Sequence, residues 1–464
     1  MTAPLTALTA AERLARHAAL AAADHRHLWH PFTQMQDWLK EDPLIIDRAE
    51  GVELIDTMGR RYLDGVSSLW CNVHGHRVPA LDEAVRAQLD RIAHSTLLGL
   101  ASSASIECAE ELMLHVPPAL TRVFFSDAGA TAVEIAIKMA FQHFQLRGDE
   151  RRREFVSITG GYHGDTIGSV SVGGIDLFHR IFKPLLFDVH HAPQPYCYRC
   201  PLGQALPSCA MACADAVEAI FAARPGQIAA LVIEPVMQGA DGMIAQPPGY
   251  LRRMRQICDR HGALLVCDEV ATGWGRTGTT FAVEQEGVVP DIMTMAKGLT
   301  GGYLPLAATL TTEAVFESFL GDFDSKRTFF HGHTYAGNPL GCAVATASMK
   351  LFRDERIIEG LPARIGALAR ALAPLAAHPH VGEIRQRGLM VGIELVRDRD
   401  TRAEYEYPLR VGHQVCLEAR KAGVLLRPLG NVVVLMPPLA MTVAQLERLV
   451  AAVRAGVDAV TARA

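Results

Sequence analysis

Three short apolar runs each end in a charged residue. LLVC (264–267) runs into Asp268 and Glu269, IMTM (292–295) reaches Lys297 across Ala296, and IAALVI (228–233) ends at Glu234. Uninterrupted apolar runs of this length suit strands covered on both faces, and the stretches between them read as helices. Strands separated by helices are the pattern of a mainly parallel sheet wrapped by helices, so the expected class is α/β.

The rest of the chain fills in that frame. The pattern predicts a helix over 11–24, a hairpin over 53–65 turning at Met58 and Gly59, a loop over 67–79, and helices over 81–95 and 103–115. Residues 121–144 read as strand, tight turn and long helix, and 153–166 begin with a strand. A helix over 251–262 is ended by Gly262, and 290–296 and 304–310 supply two further strands. From about 345 the expected order is helix (345–353, 362–377), strand (387–396), helix (408–422), strand (432–436) and an amphipathic helix (442–460). That order fits a smaller α+β domain.

A chain of 464 residues is too long for one core. The expected division is an N-terminal segment, 1–75, that joins the small domain and the site entrance, a large domain, 76–344, and a C-terminal small domain, 345–464. Charge excludes some partners. With 45 basic and 50 acidic side chains and a formal charge of -5, nothing favours a nucleic acid or an acidic membrane. Apolar stretches are broken by charge or glycine well short of a membrane span. The N-terminal thirty residues carry Glu12, Arg13 and Arg16 inside their alanine-rich part, which does not read as a signal peptide. The expected setting is cytoplasmic, with most cysteines reduced.

An amine and an acid at the mouths of buried strands are what pyridoxal phosphate chemistry requires. The amine, Lys297, would hold the cofactor aldehyde as a Schiff base, and the acid, Asp268, would keep the pyridine nitrogen protonated so that the ring draws electrons. At SDAGAT, 126–131, a strand turns into a helix through Gly129, and the backbone N–H groups of Gly129, Ala130 and Thr131 suit a phosphate. At GGYHGDT, 160–166, Tyr162 is placed to stack on a flat ring. Glu234 is a candidate hydrogen-bond organiser near Asp268.

LLVCDEVATGWGRTG followed by PDIMTMAKGLTGGYLPLAA resembles the class III aminotransferases, a family of fold-type I pyridoxal phosphate enzymes. The resemblance spans about residues 28–460. It implies a mainly parallel seven-stranded sheet in the large domain, pyridoxal 5'-phosphate as cofactor, small-molecule substrates, and a homodimer with shared active sites. It also implies roles: Lys297, Asp268 and Tyr162 in catalysis, Val270 beneath the ring, Gly129 and Ala130 at the phosphate, and Glu234 in support. Ala130 stands where the family more often has a hydroxyl residue, so the backbone N–H must serve there. The segment HGHTYAGNPLG, 331–341, matches the part that reaches the partner's cofactor, with Thr334 on the phosphate and Gly332 at the substrate.

HLWHPFTQM (27–35), SSLWCNVHGH (67–76) and GVLLRPLGNVVVLMPPL (423–439) resemble the branch of the family that aminates 8-amino-7-oxononanoate with S-adenosylmethionine in biotin synthesis. The resemblance puts the substrate carboxylate on Arg427 and the aromatic wall at Trp70. A bidentate cation at the end of an apolar channel is also what a long keto acid needs. The chain departs from that branch at Leu69, where a tryptophan is usual, and at Phe32, where a tyrosine is usual. A related branch with phenylalanine there uses lysine as donor, and branches acting on ω-amino acids or diamines share most cofactor residues. Cys197, Cys200, Cys209 and Cys213 form a CxxC…CxxxC pattern that fits metal ligands, two disulfides, or reduced thiols with the last two on the first turns of a helix. The cofactor chemistry needs no metal and none is assigned.

Overall fold

The computed structural model describes residues 8–463; the first seven residues of the expected N-terminal segment lie outside the described residues. A seven-stranded sheet forms the centre. Its spatial order is Leu120–Ser126, Ala307–Thr312, Ile292–Met295, Leu264–Asp268, Ile228–Ile233, Glu154–Ile158, His190–Ala192. Only Ala307–Thr312 runs against its neighbours; the other pairings are parallel.

The three central strands are buried at every position. Alternate residues serve opposite faces. Ala230, Val232, Val266 and Ile292 pack with Val133, Ile137 and Ala140 of the helix Gly129–Leu146. Leu231, Leu265, Cys267 and Met293 share the other core with Leu251, Met254 and Cys258 of the helix Tyr250–His261. Removing each such leucine from water contributes about 1.5–3 kcal/mol. Burial on both faces is why these strands read as continuous apolar runs.

Two further four-stranded sheets flank this centre. Ile46–Glu50, Glu53–Asp56 and Arg61–Asp64 form a meander whose last strand pairs in parallel with Val424–Leu425. The hairpin at 53–65 forms as expected, while the strand before it was not foreseen. The second sheet differs from the sequence reading. One strand was expected over 387–396, but Val381–Arg387 and Met390–Leu395 form an antiparallel hairpin. The chain turns at Gly388, whose φ is +58° and where a Cβ would lie 2.4 Å from the Arg276 carbonyl oxygen. Val432–Leu435 and Arg427–Leu429 complete this sheet. The expected boundary between residues 344 and 345 falls inside one continuous helix, Pro339–Asp354.

Candidate active site

Parallel strands deliver their carboxyl ends to one edge of a sheet, where such folds bind ligands. Five strand ends converge there. Asp268 is the last residue of its strand, Glu234 follows Ile233, and Lys297 follows Met295 by two residues. The loop bearing Tyr162 and His163 leaves Ile158, and Gly129 opens the helix that follows Ser126. Together they bound a cavity of about 400 Å³ lined by Trp70, Gly129, Ala130, Tyr162, His163, Glu234, Asp268, Val270 and Lys297, among others.

The Asp268–Glu269 pair illustrates strand alternation. Asp268 faces the cavity, while Glu269 points away, accepts hydrogen bonds from Thr272 Oγ1 (2.5 Å) and the Val283 N–H (2.9 Å), and is pushed up to about 7 by burial. Asp268 is only 3% exposed. Its Oδ1 accepts from Thr294 Oγ1 at 3.1 Å and the Val270 N–H at 3.0 Å, and its Oδ2 lies 2.8 Å from His163 Nδ1. An ionised carboxylate only accepts, so His163 donates from Nδ1. Burial pulls the His163 imidazole down, but the hydrogen bond and charge of Asp268 outweigh it and its pKa is raised. A carboxylate offers about four acceptor positions. Three are used, which leaves one on Oδ2.

Across the cavity Lys297 is half-buried, with its Nζ 5.0 Å from the centroid of the Trp70 ring. Burial lowers its pKa, with Asp268 and Glu234 acting in the opposite sense. The backbone at Lys297 has φ +43°, a conformation that costs a side-chain-bearing residue of order 1–3 kcal/mol. Glu234 accepts from the N–H groups of Tyr162 (3.0 Å) and Gly239 (2.9 Å), and burial pushes it up to about 7. It thereby joins the Tyr162 loop to the strand edge. The Tyr162 hydroxyl donates to Asp165 Oδ2 at 2.7 Å, and burial raises the phenol.

At the helix Gly129–Leu146 the first intrahelical bond runs from the Ala132 N–H to the Ala128 carbonyl, 3.0 Å, so the preceding amides are available to an anion. The Thr131 hydroxyl is engaged with Asp127 Oδ1 and the Ala128 carbonyl. The turn needs glycine at 129, because a Cβ there would meet Val270 Cγ1 at 2.7 Å.

Not every expected site residue lines this cavity. Phe32 is 57% exposed and packs edge-on against Phe178, with ring centroids 5.3 Å apart. Gly332 and Thr334 are exposed in the single chain. Arg427 is half-buried in the strand Arg427–Leu429, and its charge acts on the Tyr162 phenol. It has no ion-pair partner among the described residues. The four clustered cysteines are free thiols bordering one small cavity, and burial pushes Cys213 up to about 11. Their helix begins at Ala212, so Cys209 precedes it. Among the described residues no three ligating side chains are arranged to hold a metal. His163 and Thr294 carried no sequence-based role. The histidine beside Tyr162 in the glycine-flanked loop was the available signal.

A class III aminotransferase family model matches residues 35–456. The chain belongs to the class III aminotransferases. Members of this family use pyridoxal phosphate. The aminotransferase is 58% identical over 454 residues to an adenosylmethionine-8-amino-7-oxononanoate aminotransferase of Nitratidesulfovibrio vulgaris, covering 97% of this chain and 83% of the relative. The crystal structure of the protein of that name from Methanocaldococcus jannaschii superposes with a TM-score of 0.91 at 42% identity, covering 95% of this chain and 99% of the other. An amine transaminase from an uncultivated Pseudomonas species, in its PLP-bound form, gives 0.89 at 37% identity over 93% and 98% of the two chains. The fold is thus fold-type I, α/β, with a mainly parallel seven-stranded sheet.

The residues fit the cofactor. A half-buried amine, a buried acid with an unused acceptor position, a helix start and an apolar side chain at 270 surround one cavity of suitable size.

Proposed function

We propose that this aminotransferase transfers an amino group from S-adenosylmethionine to 8-amino-7-oxononanoate, giving 7,8-diaminononanoate, a step of biotin synthesis. Near-full-length identity to relatives named for that reaction carries the reading. Backbone superposition does not separate them from an amine transaminase, with TM-scores of 0.91 and 0.89, whereas identity does.

Bound pyridoxal phosphate supplies an aldehyde that accepts and returns the amino group and a ring that draws electrons from the reacting carbon. The chain supplies the rest. The Gly129 and Ala130 N–H groups would hold the phosphate, Val270 and Tyr162 would pack against the ring, and Asp268 Oδ2 would accept from the ring nitrogen. Lys297 would anchor the aldehyde and would move the proton on and off the carbon that bears the amino group. Burial keeps Lys297 more readily neutral than a free lysine, as a base requires. Glu234 holds the Tyr162 loop in place. Trp70, Phe32 and Gly332 border the substrate, and Arg427 takes its carboxylate. The segment 1–75 is read as contributing to the small domain and the site entrance, 76–344 as the large domain and 345–464 as the small domain, with the helix Pro339–Asp354 running across the last boundary. No helix among the described residues is long and apolar enough to cross a membrane; a cytoplasmic homodimer is the proposed state.

Arg427→Ala weakens use of the 7-oxo acid by at least about tenfold, since a hydrogen bond to a charged group is worth roughly 1.5–3 kcal/mol and about 1.4 kcal/mol is one decade. The donor half-reaction suffers less. The assay loads the enzyme with S-adenosylmethionine, lysine, β-alanine or putrescine in turn, follows cofactor absorbance, and then adds the 7-oxo acid. Turnover of β-alanine or putrescine with pyruvate, and none with the 7-oxo acid, would reassign the substrate.

Thr334 is read as reaching the phosphate in the partner's site. Thr334→Asp places an acid against that phosphate and inactivates the homodimer. Co-refolding it with inactive Lys297→Ala yields mixed dimers in which one site carries neither defect, so activity returns. Mixed dimers that stay inactive would assign Thr334 to its own chain's site.

A further inference from the structure

The cysteine-rich stretch between the edge strand His190–Ala192 and the helix Ala212–Ala223 grips the sheet that contains Met390–Leu395. Tyr196, Tyr198 and Arg199, interleaved with Cys197 and Cys200, make the contacts. The Tyr196 hydroxyl and Arg199 Nε both donate to Glu394, which is only 5% exposed. Arg199 also pairs with Glu404 at 3.4 Å. The Tyr198 carbonyl accepts from Arg402, and two guanidinium groups lie over its ring, Arg402 at 4.7 Å and Arg199 at 5.2 Å. Burial pushes the Glu394 carboxyl up, but Arg385, Tyr196 and Arg199 outweigh it and hold it below its usual range. Arg199 therefore helps to keep a buried charge paired, and an uncompensated one is costly.

Two thiols bracket that grip. Cys197 and Cys200 are the ends of a four-residue turn with Tyr198 and Arg199 at its centre. The end Cα atoms of such a turn lie within about 7 Å, and a disulfide spans Cα atoms about 4.4–6.8 Å apart. Cys197 is exposed, Cys200 is half-buried, and both are free. They border one small cavity with Cys209 and Cys213, of which the first precedes the helix Ala212–Ala223 and the second lies inside it. A metal would need three or more converging ligands, and none converge among the described residues; a disulfide needs only two. Burial raises the Cys197 thiol, with Cys209, Cys200 and Glu383 acting in the same sense. Thiolate is scarce there at neutral pH, so the pair reacts slowly.

We propose that Cys197 and Cys200 form an oxidisable dithiol that a low-molecular-weight disulfide closes, and that closure releases Arg199 from Glu394. In the first step one cysteine sulfur, as thiolate, attacks a sulfur of the oxidant. The oxidant's S–S bond breaks and one thiol leaves with the proton. The second cysteine sulfur then attacks the mixed disulfide and expels the second thiol. Two electrons pass from the cysteines to the oxidant, which ends as two thiols. The new bond draws the two Cβ atoms to about 3.5–4.5 Å, so both side chains turn from the cavity towards each other. Arg199, inside the closed ring, is carried with the turn.

The test treats the holoenzyme with dithiothreitol and, after its removal, with glutathione disulfide. Mass spectrometry of the unreduced digest is expected to find a bond between Cys197 and Cys200. The oxidised protein keeps its circular dichroism, but the half-life of that signal at one fixed elevated temperature falls at least about threefold, a discounted share of what a hydrogen bond to a charged group contributes. Dithiothreitol restores it. Cys200→Ser matches the reduced wild type and does not respond to the oxidant. Arg199→Ala is short-lived when reduced, and oxidation adds little to it, because both changes remove one contact. A bond to Cys209 or Cys213, no bond at all, or bound zinc that shields the four thiols overturns the proposal. So does an unchanged half-life once the bond has formed, or an oxidation effect of full size in Arg199→Ala. Should Cys200→Ser not fold, Cys197→Ser takes its place with the same expectation.

Discussion

Lys297→Ala is expected to abolish turnover, with a loss of at least about 10⁴-fold, the upper end of what a positioned general base contributes. The expectation is built on position. The amine follows the buried strand Ile292–Met295, stands over the Trp70 ring and has no ion-pair partner among the described residues. Burial favours its neutral form, which a nucleophile and base requires and a structural lysine does not. Lys297→Arg gives no rescue, because guanidinium stays protonated at any pH the protein tolerates. A readout independent of activity is available. Borohydride treatment of the native protein, followed by peptide mapping, places the pyridoxyl mass on residues 291–305. Label on any other lysine would sink the assignment.

Asp268→Asn is expected to slow the proton-transfer step by about 10²- to 10⁴-fold while the protein remains folded. The substitution keeps the size of a side chain that is almost wholly buried. An amide can still accept from Thr294 or the Val270 N–H, but it carries no charge to oppose a protonated ring nitrogen. It also removes the charge that raises the His163 imidazole. Single-turnover rates measured with each half-substrate, beside unfolding midpoints and cofactor affinity, separate chemistry from stability. A near-wild-type single-turnover rate in this variant would remove Asp268 from its proposed role. His163→Phe deletes one of the three hydrogen bonds to Asp268 and is expected to give a smaller loss in the same step.

The chemistry of this protein was legible wherever it followed a local pattern. Continuous apolar runs marked the strands Ile228–Ile233, Leu264–Asp268 and Ile292–Met295 because both faces of a covered parallel strand must be apolar. The residues at their ends therefore stood out as Glu234, Asp268 and Lys297. Glycine at the start of the helix Gly129–Leu146 was equally readable, since the close approach of Val270 leaves no room for a Cβ.

Other features depended on where distant segments met. His163 and Asp268 are 105 positions apart, and nothing in GGYHGDT names the carboxylate that the imidazole meets. The strand at 387–396 became a hairpin because residues 381–387 found a partner across Gly388, a pairing that a mixed, half-buried sequence does not announce. Arg276 lies inside a motif read only for its resemblance, and the carbonyls of Trp70, Asn72 and Pro437 that accept from it are 206, 204 and 161 positions away. A strand's burial is written in its own residues, through hydrophobic period and turn chemistry. A buried polar group's partner is not, because desolvation requires that one exist while leaving its identity to the packing of the whole chain. The sequence by itself determined the sheet, the family and the residues at the strand ends. Tertiary structure alone decided which polar groups hold Asp268 and which carbonyls accept from Arg276.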